Sequence, residues 1–580
     1  MAVLSSATIV LALGVSALVL SNSGLVRAKR EQNRVITINL AEAGVQMESG
    51  YIWSNFQQSQ NFTFIDTNTQ NASSVSPMLT TSKQLDTKQR YTVSVIGWSS
   101  PDSYTRDLTI LSVGWIDSNS NGQLDVGESY RAIRAVIRYS LSRAKVFDYA
   151  YFVNNYGWMN GFGPGDLIVN GDMRANGNFD FSGGTPTING SVYAAPNDHL
   201  TPAAPGKVNI TPTQWTNSSY NALNMSRARQ AYDTARHGAR GSAQYNQWRD
   251  VIYDNQATVN NDIVSGAVIG DARGTRSYQG TVLDPRPMST ITMPDLSNIS
   301  TYTSLSQSYT DSKVTYADGS ANPAYGQGAY VDVWNSTTKT YQRLSTNGVV
   351  TGSAVLIGDT SYPIKIHGPI TVTQDVIIKG NVDGQGTVYA GRNIHIVGDI
   401  VYSNPPNFAG TDQTAIDLIN EKKSILGLAA RASVICGDTS GFGSTTLQYM
   451  TPPFTKPRYD DAGNYIPAYD GTAVDSYGVK KYQSVLGDNY IHSVSSNISN
   501  IDAILYTNFL GGGNLGGNGG GVTFNGTIIS RDEAMVLWSL PFRMNYDNRI
   551  KERSLNQKPL IDINLPRTPG LIKMTWQEVL

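Results

Sequence analysis

Residues 169–192 read VNGDMRANGNFDFSGGTPTINGSV. Three times in this stretch an apolar side chain is followed by Asn, Gly, any residue and a second apolar side chain. The copies are Val169-Asn170-Gly171-Asp172-Met173, Ala175-Asn176-Gly177-Asn178-Phe179 and Ile188-Asn189-Gly190-Ser191-Val192. A fourth is Phe524-Asn525-Gly526-Thr527-Ile528, and a looser form recurs around Gly368, Gly380 and Gly398. Between the copies run short β-branched segments broken by Gly, Asn or Asp, without helical periodicity. A unit this small cannot bury its own apolar face and becomes stable by stacking on copies of itself. Gly and Asn suit the left-handed corners, and inward Val and Ile fill the interior. The pattern predicts a parallel β-helix over 151–580, with further rungs at 355–357, 426–435 and 503–506. A twisted β-sandwich with Asn-Gly hairpins is the competing architecture.

Three stretches interrupt the rungs: about 195–265, 300–350 and 440–490. Within the first, 222–236 and 242–254 read as short helices. Insertions in a stacked architecture emerge on one face and often carry recognition. The run 511–521, GGGNLGGNGGG, reads as a flexible loop tip. It lacks the Lys-Ser/Thr and following helix of a phosphate-binding loop.

Composition agrees with an exported β protein. The chain has 580 residues, 44 Lys+Arg against 45 Asp+Glu, and 15% charged residues. That balance excludes the broad basic surface of a nucleic-acid binder, and 40% hydrophobic residues exclude a disordered chain. One cysteine, Cys436, forbids an intrachain disulfide and a Cys-based zinc site.

Upstream, residues 54–150 read as a small antiparallel sheet. The segments 91–96, 108–113 and 131–139 alternate; in the last, Ile133, Ala135, Ile137 and Tyr139 share a face opposite Arg134 and Arg138. Between the second and third lies DSNSNGQLDVGE at 117–128. It matches a twelve-residue calcium loop: Asp117, Asn119, Asn121, Asp125 and Glu128 supply side-chain oxygens, Gln123 a backbone carbonyl, and Gly122 the turn. Calcium takes six to eight hard oxygens about one point, which this spacing offers. A polar hairpin loop without metal is the simpler alternative.

Residues 1–26 carry no charged side chain, and Arg27, Lys29, Arg30 and Arg34 follow. The apolar core, from Ile9 to Leu20, is long enough to cross a bilayer as a helix. A secretory signal would place basic residues before the apolar run, not after it. The charges after the run would hold the remainder in the cytoplasm by the positive-inside tendency, an unexpected place for an Asn/Gly/Tyr-rich β protein. Removal of a short basic leader ahead of the run resolves that conflict; an ordinary N-terminal anchor is the alternative. No proline precedes Pro77, and Leu40-Ala41-Glu42-Ala43-Gly44-Val45 continues in helical register. One helix over 1–53 is expected, roughly 80 Å long.

An apolar N-terminus, a polar shoulder and LAEAGV at this distance resemble the PilX-type minor pilins and type IV pilin-like proteins, including pseudopilins. The order of helix, small sheet and β-helix with IVNGDM, TVYAGRNIHIVGDI, GTIISRD, YDNRI and MTWQEV extends the likeness to forms with β-helical ectodomains. The resemblance implies a structural subunit that assembles with other pilin-like subunits through its helix, sits first in the inner membrane, and then stands in an extracellular filament or pseudopilus. It also implies a glutamate at mature position five. This chain has Ser5 there; subunits of the family that lack this glutamate tend to sit at the tip, with no subunit above them, so the resemblance points towards a minor or tip subunit.

Catalysis has a weaker sequence basis. β-Helix enzymes that cut polysaccharides cluster acids with Arg or Lys on one sheet, and Asp375, Asp383, Asp399, His367, Lys379 and His395 are the candidates. Their spacing does not stack two acids on one face, and Cys436 lies in an apolar strand context without a nearby His. The expectation is no enzyme. Exposed Tyr, Trp, Asn and Thr on a β-helix flank would suit contact with a glycan or another surface. A membrane-anchored adhesin outside any filament, or a polysaccharide-active enzyme, are the alternatives.

Overall fold

The computed structural model describes residues 2–69, 83–84, 86–102, 104–154, 157–158, 165–176, 179–181, 187–190, 192–194, 268–270, 291–296, 299–345, 347–431, 434–437, 458–459, 465–466, 498–508, 510–513, 515, 521–530, 533–537, 541–552 and 559–579. It divides into two compact units: residues 1–142 with 568–580, and residues 143–567. The C-terminal unit expected over 151–580 therefore loses its last residues to the first unit.

In the first unit, helix α1 spans Ala2–Ser59. It runs past the expected end at 53 because nothing at 54–59 stops it. Gln60 then turns to φ 48° while its N–H still reaches the Phe56 carbonyl, and Asn61 Oδ1 receives the N–H of Thr63 to start α2, Thr63–Thr69. Four strands follow: β1 Lys83–Gln84, β2 Gln89–Asp102, β3 Thr105–Ile116 and β4 Tyr130–Arg143. They pair antiparallel in sequence order. The C-terminal strand Arg567–Val579 joins beside β4 as the fifth member.

Helix and sheet meet through Leu40, Ala41, Val45, Ile52 and Phe56 on one side and Tyr91, Val93, Leu108, Ile110, Ile133 and Tyr139 on the other. Those helix positions follow the three-to-four spacing of one face. Two glycines set the closeness. A Cβ on Gly114 would lie 2.5 Å from Ala41 N and Thr37 O, and one on Gly44 2.1 Å from Ser112 Oγ. Only bare backbone lets α1 lie against β3 at this distance. On the other face of β4, Arg138 forks onto both oxygens of Asp107 at 2.7 Å.

The second unit is a stack of mainly parallel strands, joined among the described residues in a 19-stranded sheet. One ribbon of pairings runs Ile364–Val372, Val376–Ala390, Ile425–Ala430, Asn500–Thr507, Val522–Ser530, Tyr151–Val153, Met173–Ala175 and Val192–Ala194. A second runs Ala354–Ile357, Val376–Ala390, Ile394–Tyr402, Val434–Cys436, Leu510–Gly513 and Glu533–Leu537. The expected rungs at 355–357 and 503–506 fall in these strands, and of 426–435 the residues 426–430 and 434–435 do. Inward Val, Ile, Leu and Ala, among them Val169, Ile188, Ile378, Val388, Leu428 and Ile528, form one continuous core.

The stack is not built in chain order. Its first strands lie beyond its last: Tyr151–Val153 pairs with 528–530, and Leu167–Asn170 pairs with Phe542–Asn545. One run grows outward from residue 151; the other starts at the far end and grows back to meet it. A parallel ladder needs matching edges, not consecutive sequence, so the join is made like any other rung.

Asparagines cross this join. Asn189 donates to Asn170, Asn170 to Asn545, Asn545 to Asn525 and Asn525 to Asp502, at 2.7–2.8 Å. Successive members are 19, 375, 20 and 23 residues apart in sequence. Each amide carries a donor and an acceptor, so a column of them saturates itself, and Asp502 ends it as a pure acceptor. The recurring Asn-Gly pair supplies Asn170, Asn189 and Asn525. Asn176 stands at a different corner, where it bonds Asn154 at 2.7 Å.

Other expectations change. The looser repeat is not one series: Gly368 pairs with Gly386, and Gly380 with Ile400. Residues 300–350 are not an excursion. The segment 291–296 bonds Asn176 and Asn508, the helix Ile299–Ser308 stacks Tyr302 on Tyr389 with ring centroids 4.3 Å apart, and Ser306 bonds Thr371 at 2.9 Å. This strap crosses successive rungs, and Tyr330–Asn335 then pairs antiparallel with 365–367. Residues 511–513 of the glycine run form strand, not loop tip. The helices expected at 222–236 and 242–254 lie outside the described residues. So do the insertions at 195–265 and 440–490, apart from the short antiparallel pair Arg458–Tyr459 and Tyr465–Ile466.

Candidate functional site

Helix α1 has two kinds of surface. Over its second half one stripe is buried in the sheet. Over its first half the apolar side chains meet no partner among the described residues: Leu11 is 71% and Leu18 73% exposed, with Ile9, Val10, Leu13, Val15, Val19 and Leu20 alike. By length and composition this is a helix able to cross a membrane. So continuous an apolar surface marks a binding or insertion element. The side chain of Ser5 lies outside the described set.

Glu48 lies on the buried stripe. It is 6% exposed, its Oε1 has no hydrogen-bond partner among the described residues, and burial raises its pKa to about 7. Its charge and burial also raise the hydroxyl pKa values of Tyr91 and Tyr139, burial being the larger cause for each. Helical spacing from Ala41, Val45 and Ile52 places residue 48 on this face, so the sequence carried the signal.

The loop 117–128 joins β3 to β4. Ser120, Gly122 and Gly127 take positive φ, which wraps the chain about its own polar groups. Asp117 accepts the N–H groups of Asn121 at 3.0 Å and Gly122 at 2.8 Å, and Arg90 Nε at 2.5 Å. Burial opposes its ionisation, but these partners outweigh burial and leave its pKa below the ordinary carboxylate value. Asn119 and Asn121 both donate to Asp125 Oδ2, at 2.8 and 2.7 Å. Glu128 receives Ser118 N and Asp125 N. Five of the six expected ligands, Asp117, Asn119, Asn121, Asp125 and Glu128, are thus joined side chain to side chain or to the loop backbone. Gln123 donates its N–H to Asn121 Oδ1 at 2.8 Å. Among the described residues no group of three His, Cys, Asp or Glu side chains converges as a metal site. A cation here would depend on the asparagine and backbone oxygens. Arg90 was not foreseen; it lies 27 residues from Asp117 in sequence, and strand pairing brings it there.

The candidate catalytic groups are not brought together. Asp375 pairs with Arg392 and takes Asn393 N at 3.1 Å; Asp399 takes Ser499 N at 2.6 Å; Asp383 takes Ser424 Oγ at 3.3 Å. His367 sits between the rings of Tyr309 and Tyr330, 3.6 Å from Asp311, and burial lowers its pKa. His395 Nε2 lies 3.1 Å from the Gly437 carbonyl, and the stem of Lys379 lies over Gly398. Cys436 is fully buried, its thiol pushed up to about 12 by burial.

No family model matches the chain, and no curated protein matches it. Among solved structures, the crystal structure of the competence-associated pilin ComZ from Thermus thermophilus is similar over 94% of this chain and 98% of its own, with 12% identity and a TM-score of 0.23. At that score and identity, what this chain does has to be read from its own residues.

Proposed function

We propose that this chain is a structural subunit of a type IV pilus-like filament or pseudopilus, of the PilX-like kind. The observation that carries the reading is the division of α1: an apolar half without partners among the described residues runs continuously into a half buried in an antiparallel sheet. An isolated chain in water would expose that first half at a cost of about 25 cal/mol for each Å² of apolar surface. Before assembly the inner membrane covers it; after assembly the helices of other pilin-like subunits do. The stack of parallel strands reads as a parallel β-helix carried outside the cell. Its aromatic group, Trp334 stacked on Tyr362 with ring centroids 3.8 Å apart, is the surface best suited to a glycan, and a Tyr362→Ala variant with undiminished binding to a glycan panel would remove that assignment.

Mass spectrometry of sheared extracellular filaments tests the main reading. Recovery of this chain in the filaments, and its loss in Leu11→Glu or Leu13→Glu variants, is expected. A chain found only in membranes, or a Leu11→Glu chain still in filaments, would replace it with a tethered adhesin.

We also infer that the loop 117–128 takes Ca2+. Asn119, Asn121, Asp125 and Glu128 already lie around one another, and turning the two amides would present oxygens where they now present N–H groups. Arg90 offsets part of the charge of Asp117, which favours weak binding. Calorimetric titration of the full chain in detergent should give a binding isotherm that Glu128→Gln abolishes; no heat at millimolar calcium would end the assignment.

A further inference from the structure

A cleft of about 330 Å³ lies within the first unit where α1 passes the start of β4 and the end of the C-terminal strand. Arg30, Arg34, Arg131, Thr37 and Tyr130 are among the residues lining it. Arg131 Nε is 3.0 Å and Arg34 Nη2 3.9 Å from Glu578, and Arg34 Nη1 is 3.9 Å from Glu31. Glu128, also on the wall, is committed to the N–H groups of Ser118 and Asp125. Among the described residues Arg27, Lys29 and Arg30 form no ion pair. Among the described residues the cleft and its rim therefore carry five cations, Arg27, Lys29, Arg30, Arg34 and Arg131, against three carboxylates, Glu31, Glu128 and Glu578, in a chain whose net charge is −1.

Position gives this excess a meaning. The apolar run ends at Val26, and at 1.5 Å per residue Arg30 stands roughly 6 Å further along the helix and Arg34 roughly 12 Å. The polar layer of a bilayer is about 5–8 Å deep on each side of the hydrocarbon. With the run in a membrane, Arg27, Lys29 and Arg30 lie at the level of the lipid phosphates, and the cleft opens just above them. Juxtamembrane Lys and Arg attract anionic lipids, and a guanidinium fork matches phosphate oxygens in two-point contact.

We propose that the Arg30–Arg34–Arg131 cleft binds the phosphate-bearing headgroup of an anionic phospholipid while the subunit is in the membrane. This rests on the membrane stage of the function proposed above. Arg30 supplies the charge without a competing carboxylate, and Arg34 and Arg131 complete the site by sharing Glu578 with the ligand. The lipid would thereby hold the foot of the sheet at a fixed depth.

The full chain, reconstituted in nanodiscs of phosphatidylcholine with phosphatidylglycerol, is released in mild detergent and the retained lipid counted by native mass spectrometry. Wild type should retain phosphatidylglycerol in preference to phosphatidylcholine. Arg30→Gln combined with Arg131→Gln should lower that retention about thirtyfold, as expected for the loss of two juxtamembrane charges. Arg30→Gln alone, at an exposed helix position, should lower it in part, and Arg134→Gln, elsewhere on β4, should not. Glycerol phosphate at millimolar concentration should not displace the lipid; if it does, the site is one for free phosphate esters and the lipid assignment is overturned. Equal retention of both lipids, or cross-linking of Arg30 only to acidic residues of a neighbouring subunit, also overturns it. A chain that enters neither kind of bilayer would instead overturn the membrane stage itself.

Discussion

Both the antiparallel sheet and the parallel stack are finished by chain arriving from far away in sequence, yet the two joins differ in kind. In the stack, the join between Leu167–Asn170 and Phe542–Asn545 has the same parallel register, apolar interior and asparagine column as its neighbours. In the sheet, the C-terminal strand adds to an edge. Its middle residues are mostly exposed, and among the described residues its side chains hold to the rest of the unit through Glu578 with Arg131 and Arg34 and through Trp576 against the core. A join buried on its inner face is held by packing and fails all at once; a join at an edge is held mainly by backbone pairing and fails locally. The contrast can be broken in four places.

The largest effect is expected at Phe542, 1% exposed at the stack join. Phe542→Ala should cost about 3–5 kcal/mol, read as a lower denaturation midpoint for the whole stack. If only residues near 542 gained hydrogen exchange, the join would be local after all.

Next is Glu48. Its pKa is about 7 folded against 4.5 for the ordinary group. The native state therefore keeps a proton that the unfolded chain releases, and stability falls as pH rises from 4.5 through 7. Glu48→Gln removes that loss: the first unit should gain up to about 3 kcal/mol at pH 8 and almost nothing at pH 4. A gain independent of pH in urea denaturation would show that Glu48 is charged and compensated in the native state.

Third, stopping the chain after Arg567 should leave the stack's midpoint unchanged while raising amide exchange along β4. Unchanged exchange at β4 would mean the added strand contributes nothing to that edge.

The smallest effect belongs to the asparagine column. Asn545→Ala breaks two side-chain bonds and should cost about 1–2 kcal/mol, whereas Asn189→Ala breaks one and should cost about half as much. Equal losses would show that the column is not the source.

Local chemistry was legible in the sequence, and long-range assembly was not. The α1 stripe, the alternation of β4 and the rungs of the stack each follow from a period of a few residues. The Asn-Gly copies at 170, 189 and 525 mark positions that do meet, because stacked coils put like corners together. Nothing local marks Asn545 as the member between Asn170 and Asn525, since Met544-Asn545-Tyr546 lacks the glycine. Residues 300–350 looked like an excursion because their opening polar stretch, helical to Ser308, lies against strand faces instead of forming rungs. Arg90 and Asp117 meet only through the β2–β3 register, and the C-terminal strand carries no sign of which sheet it will join. The loop 117–128 shows the converse: its spacing was plain, while Arg90 beside Asp117 was invisible.

The placement of residues 568–579 also fixes an order of events during synthesis. The last residue of β4 leaves the ribosome more than four hundred residues before the strand that covers its edge, an interval of roughly 20–90 s at ordinary elongation rates. For that time the newly made sheet presents an unpaired margin, the usual template for unwanted strand addition. Arg131 and Arg134 stand along it, Arg138 being paired with Asp107, and like charges at a bare margin repel a second copy of themselves. The nascent chain thus carries its own guard against pairing with its siblings until its tail arrives.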